Sequence, residues 1–573
     1  MAFDLLIKGG LVVDGTGDAP TVADVGIVDG RVAAVGRLDG PASREIDAGG
    51  CLVTPGFIDH HTHYDGQVTF DPLCTFSCYN GVTTVVSGNC SLTLAPVREG
   101  DESALAGMLA KVEAIPYDVL MNGVPWGWRT FGDYLGSLDD NLGINFGVMV
   151  GHSAVRRWVM GADSQEREAT GDEIEAIQAA VRECVEAGAL GISFDRNPRH
   201  AGMDGKLLPA NVASIDELYA VAGALRDLDT GVIQVGDPRD LELTEGICTR
   251  MSEISGRPVT YLSITQSVLR PEQWREHLAH LADVAARGTA RIYPQINPRP
   301  GLRFFQMDSA EFLNFMPTWK RIMNSSTAER VAAFADASLR PQLAQEVAEH
   351  SDNTALGFSG RWDHVVIVKP ALEKNRGLAG MTAAELGAQR GVSPMDAFLD
   401  LAVEEEMKTW CARNQQNNDD EAMAAILNDE HTLIGLSDSG AHVVREGGYG
   451  YGVHFLSHWV RDKGIMPVEE GVRRLTSFPA DVFGAPGRGR LIPGGKADVL
   501  VMDYENLGLD PSEEAYDLPG GSMRLKQVAH GIPYTIVNGQ VLLEDGVHTG
   551  ALPGQVVRNS RYEAGKNGNG AAG

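Results

Sequence analysis

Between residues 53 and 438 the chain carries eight short apolar runs, and several are followed by a segment whose apolar residues recur at helical spacing. The runs cover 53–63, 82–89, 146–152, 188–195, 231–235, 259–265, 290–296 and 433–438. In the segment 172–187, Ile174, Ile177, Val181 and Val185 recur three to four residues apart, which lines one face of a helix. The segments 215–228 and 271–287 repeat the pattern. A strand that is apolar along its whole length needs cover on both faces, and amphipathic helices between strands supply it. Eight such units predict an α/β fold built on a (β/α)8 TIM-like barrel.

The two ends of the chain read differently. Asp29-Gly30 separates apolar runs at 25–28 and 31–35, and Asn538-Gly539 separates runs at 534–537 and 540–543. Both dipeptides suit the positive-φ positions of a tight hairpin turn. The expected organisation is a small β-sandwich domain from residues 1–54 plus 488–553, and a barrel over 55–487. The stretch between strands seven and eight is too long for one loop. An inserted helical or lid region is therefore expected at 298–430, covering the site. A flexible tail is expected at 554–573, which ends NGNGAAG.

Charge and composition narrow the partners. A net charge of −29 repels phosphate backbones, so no nucleic acid is expected. Seven scattered cysteines argue against a disulfide framework. The sequence shows neither a signal-peptide pattern nor an apolar run of about 18 residues. A cytoplasmic protein with no membrane contact is expected, and a monomer and a homo-oligomer both stay open.

The residues with chemical potential fall at the ends of the runs. His61 and His63, two apart, share one face of strand one and can bind one metal ion there. Asp438 closes the eighth run; beside a divalent ion it stays ionised, ligates the metal and accepts a proton from water. Its competing reading is a helix N-cap. Cys90 ends strand two, where a thiolate suits zinc; its competing reading is a small buried apolar residue. For substrate binding the candidates are His152, Arg156, His200, Gln234, His442 and Arg445. Arg156, Arg196, Arg199 and Arg445 are the cations available to clamp a carboxylate, with surface ion pairs as the alternative. Trp126 and Trp128 either line an acyl pocket or pack. The glycine-rich stretch 447–452 reads as a mobile loop beside the site.

Six stretches make the chain resemble the D-aminoacylase branch, the N-acyl-D-amino-acid deacylases, of the amidohydrolase superfamily. They are LIKGGLVVDGTG, PGFIDHHTHYD, GVTTVVSGNC, the strand ends GHSAVR and GALGISFD, GLSDSGAH, and FPADVFGAPGRGRLIPGGKADVLVMD. The resemblance implies a metal-dependent barrel flanked by a small β domain. It implies a bridging metal ligand at Cys90, the histidine pair at His61 and His63, and a catalytic aspartate at Asp438. It breaks at strands five and six, where the family has ligand histidines. Gln234 stands at the first position, and Tyr261 to Thr265 contains none. The lysine that bridges two metals elsewhere in the superfamily is also missing from these strand ends. The expectation is one Zn2+ on His61, His63, Cys90 and Asp438, and a hydrolase of C–N amide bonds that deacylates an N-acyl amino acid or related small carboxylate. Two alternatives stay open: a cyclic amide hydrolase or lyase on the same scaffold, and a metal-depleted pseudoenzyme that binds a small ligand. Retention of Asp438 speaks against the second.

Overall fold

The structure is a computed structural model that describes residues 2–236, 241–350, 360–444 and 448–563. The chain divides into two compact units, one of Met1–Ile264, Arg275–Arg299 and Ala424–Gly573, the other of Thr265–Trp274 and Pro300–Met423.

In the first unit, both hairpins form where their turn dipeptides predict. Asp29 and Gly30 take φ of 49° and 69°, and Asn538 and Gly539 take 44° and 80°. These left-handed pairs let Thr21–Val28 fold back on Arg31–Gly36, and Tyr534–Val537 on Gln540–Glu544. Leu52–Pro55 then pairs antiparallel with Val499–Met502, which joins both chain ends into one nine-stranded sheet. Leu5, Ile7, Val25, Ile27, Val53, Val499, Val501 and Ile536 form its apolar core.

The eight apolar runs are eight parallel barrel strands. In order they are Phe57–Asp59, Val82–Ser87, Asn145–Val148 continued by Val150–Gly151, Gly191–Phe194, Val232–Val235, Val259–Tyr261, Ile292–Ile296 and Leu433–Ile434. The ring closes at the site end. There Thr62 bridges Ser439 in parallel, and the Asp438 N–H donates to the His61 carbonyl at 3.2 Å. The helices Gly171–Glu186, Ile215–Gly223 and Gln273–Arg287 occupy the segments with helical spacing. The first starts on a capping box, with Thr170 and Glu173 each satisfying the other's backbone N–H.

Two expectations need correction. The segment from Gly554 is not a free tail as far as residue 563. Val556–Val557 adds a short parallel strand to Asn145–Val148, and the Asn559 side chain donates to the carbonyls of Val185 and Ala189. Two apolar residues and an amide that satisfies buried carbonyls outweigh the polar composition around them; residues 564–573 lie outside the described residues. The insertion, expected to be helical, is mixed. Its core of Phe305, Trp319, Phe334, Leu343 and Phe398 packs helices together with a three-stranded antiparallel sheet, Trp410–Asn414 between Leu302–Gln306 and Val365–Lys369. No helix among the described residues is long and apolar enough to cross a membrane.

Candidate metal centre

His61 and His63 continue the first barrel strand beyond Asp59, and both are buried. Alternation turns their neighbours away. His60 stacks on Phe483 with 5.4 Å between ring centres, and the Thr62 hydroxyl donates to the Val86 carbonyl. Cys90 arrives from strand two and Asp438 from strand eight. Ligand atoms of His61, His63 and Cys90 lie within 4.8 Å of one another. Cys90 Sγ is 3.6 Å from His61 Nε2, and Asp438 Oδ1 is 3.3 Å from His61 Nε2 and 3.7 Å from His63 Nε2. At usual zinc–ligand distances, two N or O donors of one tetrahedral ion are about 3.4 Å apart, and an N–S pair about 3.6 Å. His61, His63 and Cys90 form a group able to hold one divalent ion, and Asp438 stands at donor spacing from both histidines.

The backbone that carries these ligands is strained and bolted down. Cys90, Ser91, Leu436, Asp438 and His442 all have left-handed φ, between 50° and 64°. For residues other than glycine this costs about 1–3 kcal/mol each, and such residues collect at functional sites. Strands four and five hold the first pair. Gln234 Oε1 accepts from the Cys90 N–H at 2.8 Å, Ser193 Oγ accepts from the Ser91 N–H at 3.0 Å, and the Ser193 hydroxyl donates to the Gly88 carbonyl. Gly88 is required at the turn, since at φ 77° a Cβ there would meet the Met149 carbonyl oxygen at 1.9 Å.

Electrostatics gives the two histidines different states. Gln295 Nε2 donates to Thr260 Oγ1, so its Oε1 faces His61 and accepts from Nδ1 at 2.7 Å. That leaves Nε2 as the ligand atom. Burial depresses His61 to about 4, against the opposing pull of Asp438, so the ring is neutral. Burial also works against a charged His63, but Glu113, with Asp438 and Asp65, outweighs it and lifts that imidazole to about 9. Burial opposes ionisation of Asp438, yet the neighbouring imidazoles, His63 foremost at 3.7 Å, hold it below the usual carboxylate range. Its side chain is 35% exposed, the open member of the set. Burial pushes Asp59 and Asp65 up to about 7.

The remaining sequence candidates separate into those near this cluster and those drawn elsewhere. His442 Nε2 is 3.8 Å from Glu113 Oε2. His200 is half-buried, paired with Asp195 at 2.8 Å, and feels the Glu113 charge as well. Gln234 is buried and its Oε1 accepts from the Cys90 N–H, so it supports a candidate ligand. Arg156 is corrected to a structural role. It is fully buried, and Glu217 with the carbonyls of Ser164, Pro209 and Arg167 takes up its donors. His152, also buried, sits 3.1 Å from the same Glu217. Arg196 donates to the carbonyls of Ala210 and Ala213. Arg445 lies outside the described residues. Trp128 is a core residue whose Nε1–H donates to the Leu94 carbonyl. The glycine-rich stretch, described from Gly448, is packed. Tyr449 and Tyr451 are buried, and the Tyr451 hydroxyl donates to the Ile58 carbonyl. Its glycines allow close approach, for a Cβ at Gly448 would meet the Ser437 carbonyl oxygen at 1.7 Å.

Glu113 and Gln295 escaped the sequence reading, and each left a signal. Gln295 is a polar residue inside an otherwise apolar strand. Glu113 caps the C-terminus of helix Glu102–Val112, where the helix dipole disfavours a carboxylate.

The sequence matches the amidohydrolase family over residues 44–543. It is 34% identical over 568 residues to an N-acyl-D-aspartate deacylase of Alcaligenes xylosoxydans xylosoxydans, covering 97% of this chain and 95% of that one. It is 28% identical over 562 residues to a D-aminoacylase of the same organism, covering 97% of each. A solved D-aminoacylase matches with a TM-score of 0.66 at 27% identity, over 97% of this chain and 100% of that one. That structure addresses a binuclear metal centre, with one-metal activation and second-metal attenuation.

Proposed function

The chain belongs to the amidohydrolase family, and from that premise we propose that it deacylates N-acyl amino acids of D configuration by metal-dependent hydrolysis of the amide bond. The observation that carries the reading is the meeting of His61, His63, Cys90 and Asp438 at one end of the barrel, with donor separations suited to one ion. The D configuration comes from the names of the relatives. A thiolate with two imidazoles favours Zn2+. Bound there, the ion supplies Lewis acidity, polarising the scissile carbonyl and lowering the pKa of a water nucleophile toward about 7. One principal ion is proposed, because Gln234 stands where strand five would offer a second site its ligand.

The chain's own residues do the remaining work. Asp438, ionised and open on one side, takes the proton of the attacking water and returns it to the leaving nitrogen. Gln295 fixes which nitrogen His61 presents. His200, whose charged form is favoured by Asp195, and His442 are proposed to meet the substrate's carboxylate.

The test is a screen of N-acyl amino acids of both hands with metal content measured on the same sample. Turnover of D substrates that is lost in chelator, restored by Zn2+ and abolished in Asp438→Asn with the fold intact is expected. A metal-free protein whose turnover ignores chelators would sink the reading.

A further inference from the structure

We propose that Glu113 is itself a ligand of the ion at this site, a carboxylate donor that compensates for the histidines missing from strands five and six. The inference rests on the reading of His61, His63, Cys90 and Asp438 as a metal centre.

Distance is the first argument. Glu113 Oε2 lies 3.6 Å from His63 Nε2, close to the about 3.4 Å expected of two donors on one ion. It is too far for a hydrogen bond, and neither ring nitrogen of His63 has a hydrogen-bond partner although the ring is 1% exposed. A buried imidazole and a buried carboxylate that face each other at this separation leave room for something between them.

Charge is the second argument. Glu113 Oε2 and Asp438 Oδ1 lie 3.6 Å and 3.7 Å from His63 Nε2. Among the described residues, the ion pairs of Glu113 and Asp438 are with histidines alone: His63 and His442 for the first, His61 and His63 for the second. The Glu113 carboxylate is buried and needs a counter-charge, and a His63 that gives up its proton to ligate no longer supplies it. A divalent cation can.

Placement is the third. The Glu113 N–H donates to the Leu109 carbonyl, and its own carbonyl accepts from the His442 N–H at 2.6 Å. The main chain is thus pinned from the helix on one side and from the loop after strand eight on the other. Nothing in the helix gains from the carboxylate, which sits at the disfavoured end of its dipole.

The experiment titrates Zn2+ into metal-free protein against a chromophoric chelator, for the wild type, Glu113→Gln and His61→Ala. A crystal of the zinc-loaded wild type is read in parallel. Glu113→Gln is expected to lower zinc affinity by more than about 100-fold, beyond the 10–100-fold of a merely supporting hydrogen bond. In the crystal a Glu113 oxygen is expected at about 2.0–2.2 Å from the ion. Affinity within about threefold of wild type, or an oxygen beyond 3 Å, overturns the proposal while leaving the metal centre standing, provided His61→Ala loses zinc. A wild type that takes up no zinc, or a His61→Ala that keeps it, removes the metal centre itself and this inference with it. The crystal requires no variant, so misfolding of Glu113→Gln leaves the test intact.

Discussion

Replacing Gln295 isolates how the barrel prepares His61 to bind a metal. Gln295 Oε1 accepts from His61 Nδ1 at 2.7 Å and its Nε2 donates to Thr260 Oγ1 at 3.0 Å, and all three side chains are buried. Gln295→Leu removes both bonds at nearly constant volume. It leaves an imidazole N–H and a hydroxyl without partners, each at about 1–3 kcal/mol. The imidazole is then free to rotate or to move its proton to Nε2, the nitrogen that faces Cys90 and Asp438. Loss of such a support weakens metal binding by about 10–100-fold, or about 1.4–2.7 kcal/mol. Gln295→Glu should act oppositely, since a carboxylate accepts from both His61 and Thr260 and makes the imidazole a better donor. Chelator competition with Zn2+ on metal-free protein reads the affinities, and a thermal melt of the same samples reads the destabilisation. If Gln295→Leu binds zinc like the wild type, Gln295 does not orient His61 and the ligand atom has been misassigned.

Three further outcomes follow from the same geometry. With His63 lifted to about 9, the metal-free protein holds a proton there at pH 7 that must leave when the ring ligates. Zinc uptake at pH 7 should therefore release at least one proton per ion, and affinity should rise with pH up to about 9; calorimetry in buffers of different protonation heat would contradict this by finding none. Cys90→Ser exchanges a soft donor for a hard one and should shift preference from Zn2+ toward Mn2+, seen as a fall of at least about tenfold in zinc affinity with manganese less affected. Gly88→Ala places a Cβ 1.9 Å from the Met149 carbonyl oxygen at φ 77°, which should destabilise by about 3 kcal/mol or more and displace Cys90; an unchanged melting temperature with normal metal uptake would show that the turn yields.

What the sequence revealed depended on how local each signal was. Parallel strands buried on both faces leave continuous apolar runs, so all eight barrel strands were visible. Val82–Ser87, buried at every position, shows why. Asp29-Gly30 and Asn538-Gly539 specify their own turns. His61, His63, Cys90 and Asp438 were legible because strand ends in such a barrel converge. Arg156 was misread because its partners, Glu217 and three carbonyls, come from other segments. The place of Glu113 was missed for the same reason, as its approach to His63 spans fifty residues and a helix, and its position at a helix C-terminus says only that it is out of place there. The packed glycines around Tyr449 and Tyr451 look like a loose loop until their neighbours are known.

The glutamines of strands five and seven bear on whether this site is active or abandoned. A barrel that had simply lost its metal would have no reason to keep a strained turn at Cys90. Each left-handed residue there costs stability, and relaxing it would recover that stability. Instead Gln234 reaches across to hold the Cys90 N–H, Ser193 holds the Ser91 N–H, and Gln295 holds His61. All three side chains are buried and point their acceptors at the turn or at the imidazole. Strand five thus still serves the site, through the main chain of Cys90 rather than through a ligand of its own. With Glu113, Asp438 and Asp65 crowded around His63, the same pocket concentrates negative charge and lacks a lysine or arginine in its ion pairs among the described residues. Strain that is actively held, beside carboxylates whose protonated partner must become neutral to ligate, favours a site maintained for a cation over a relic.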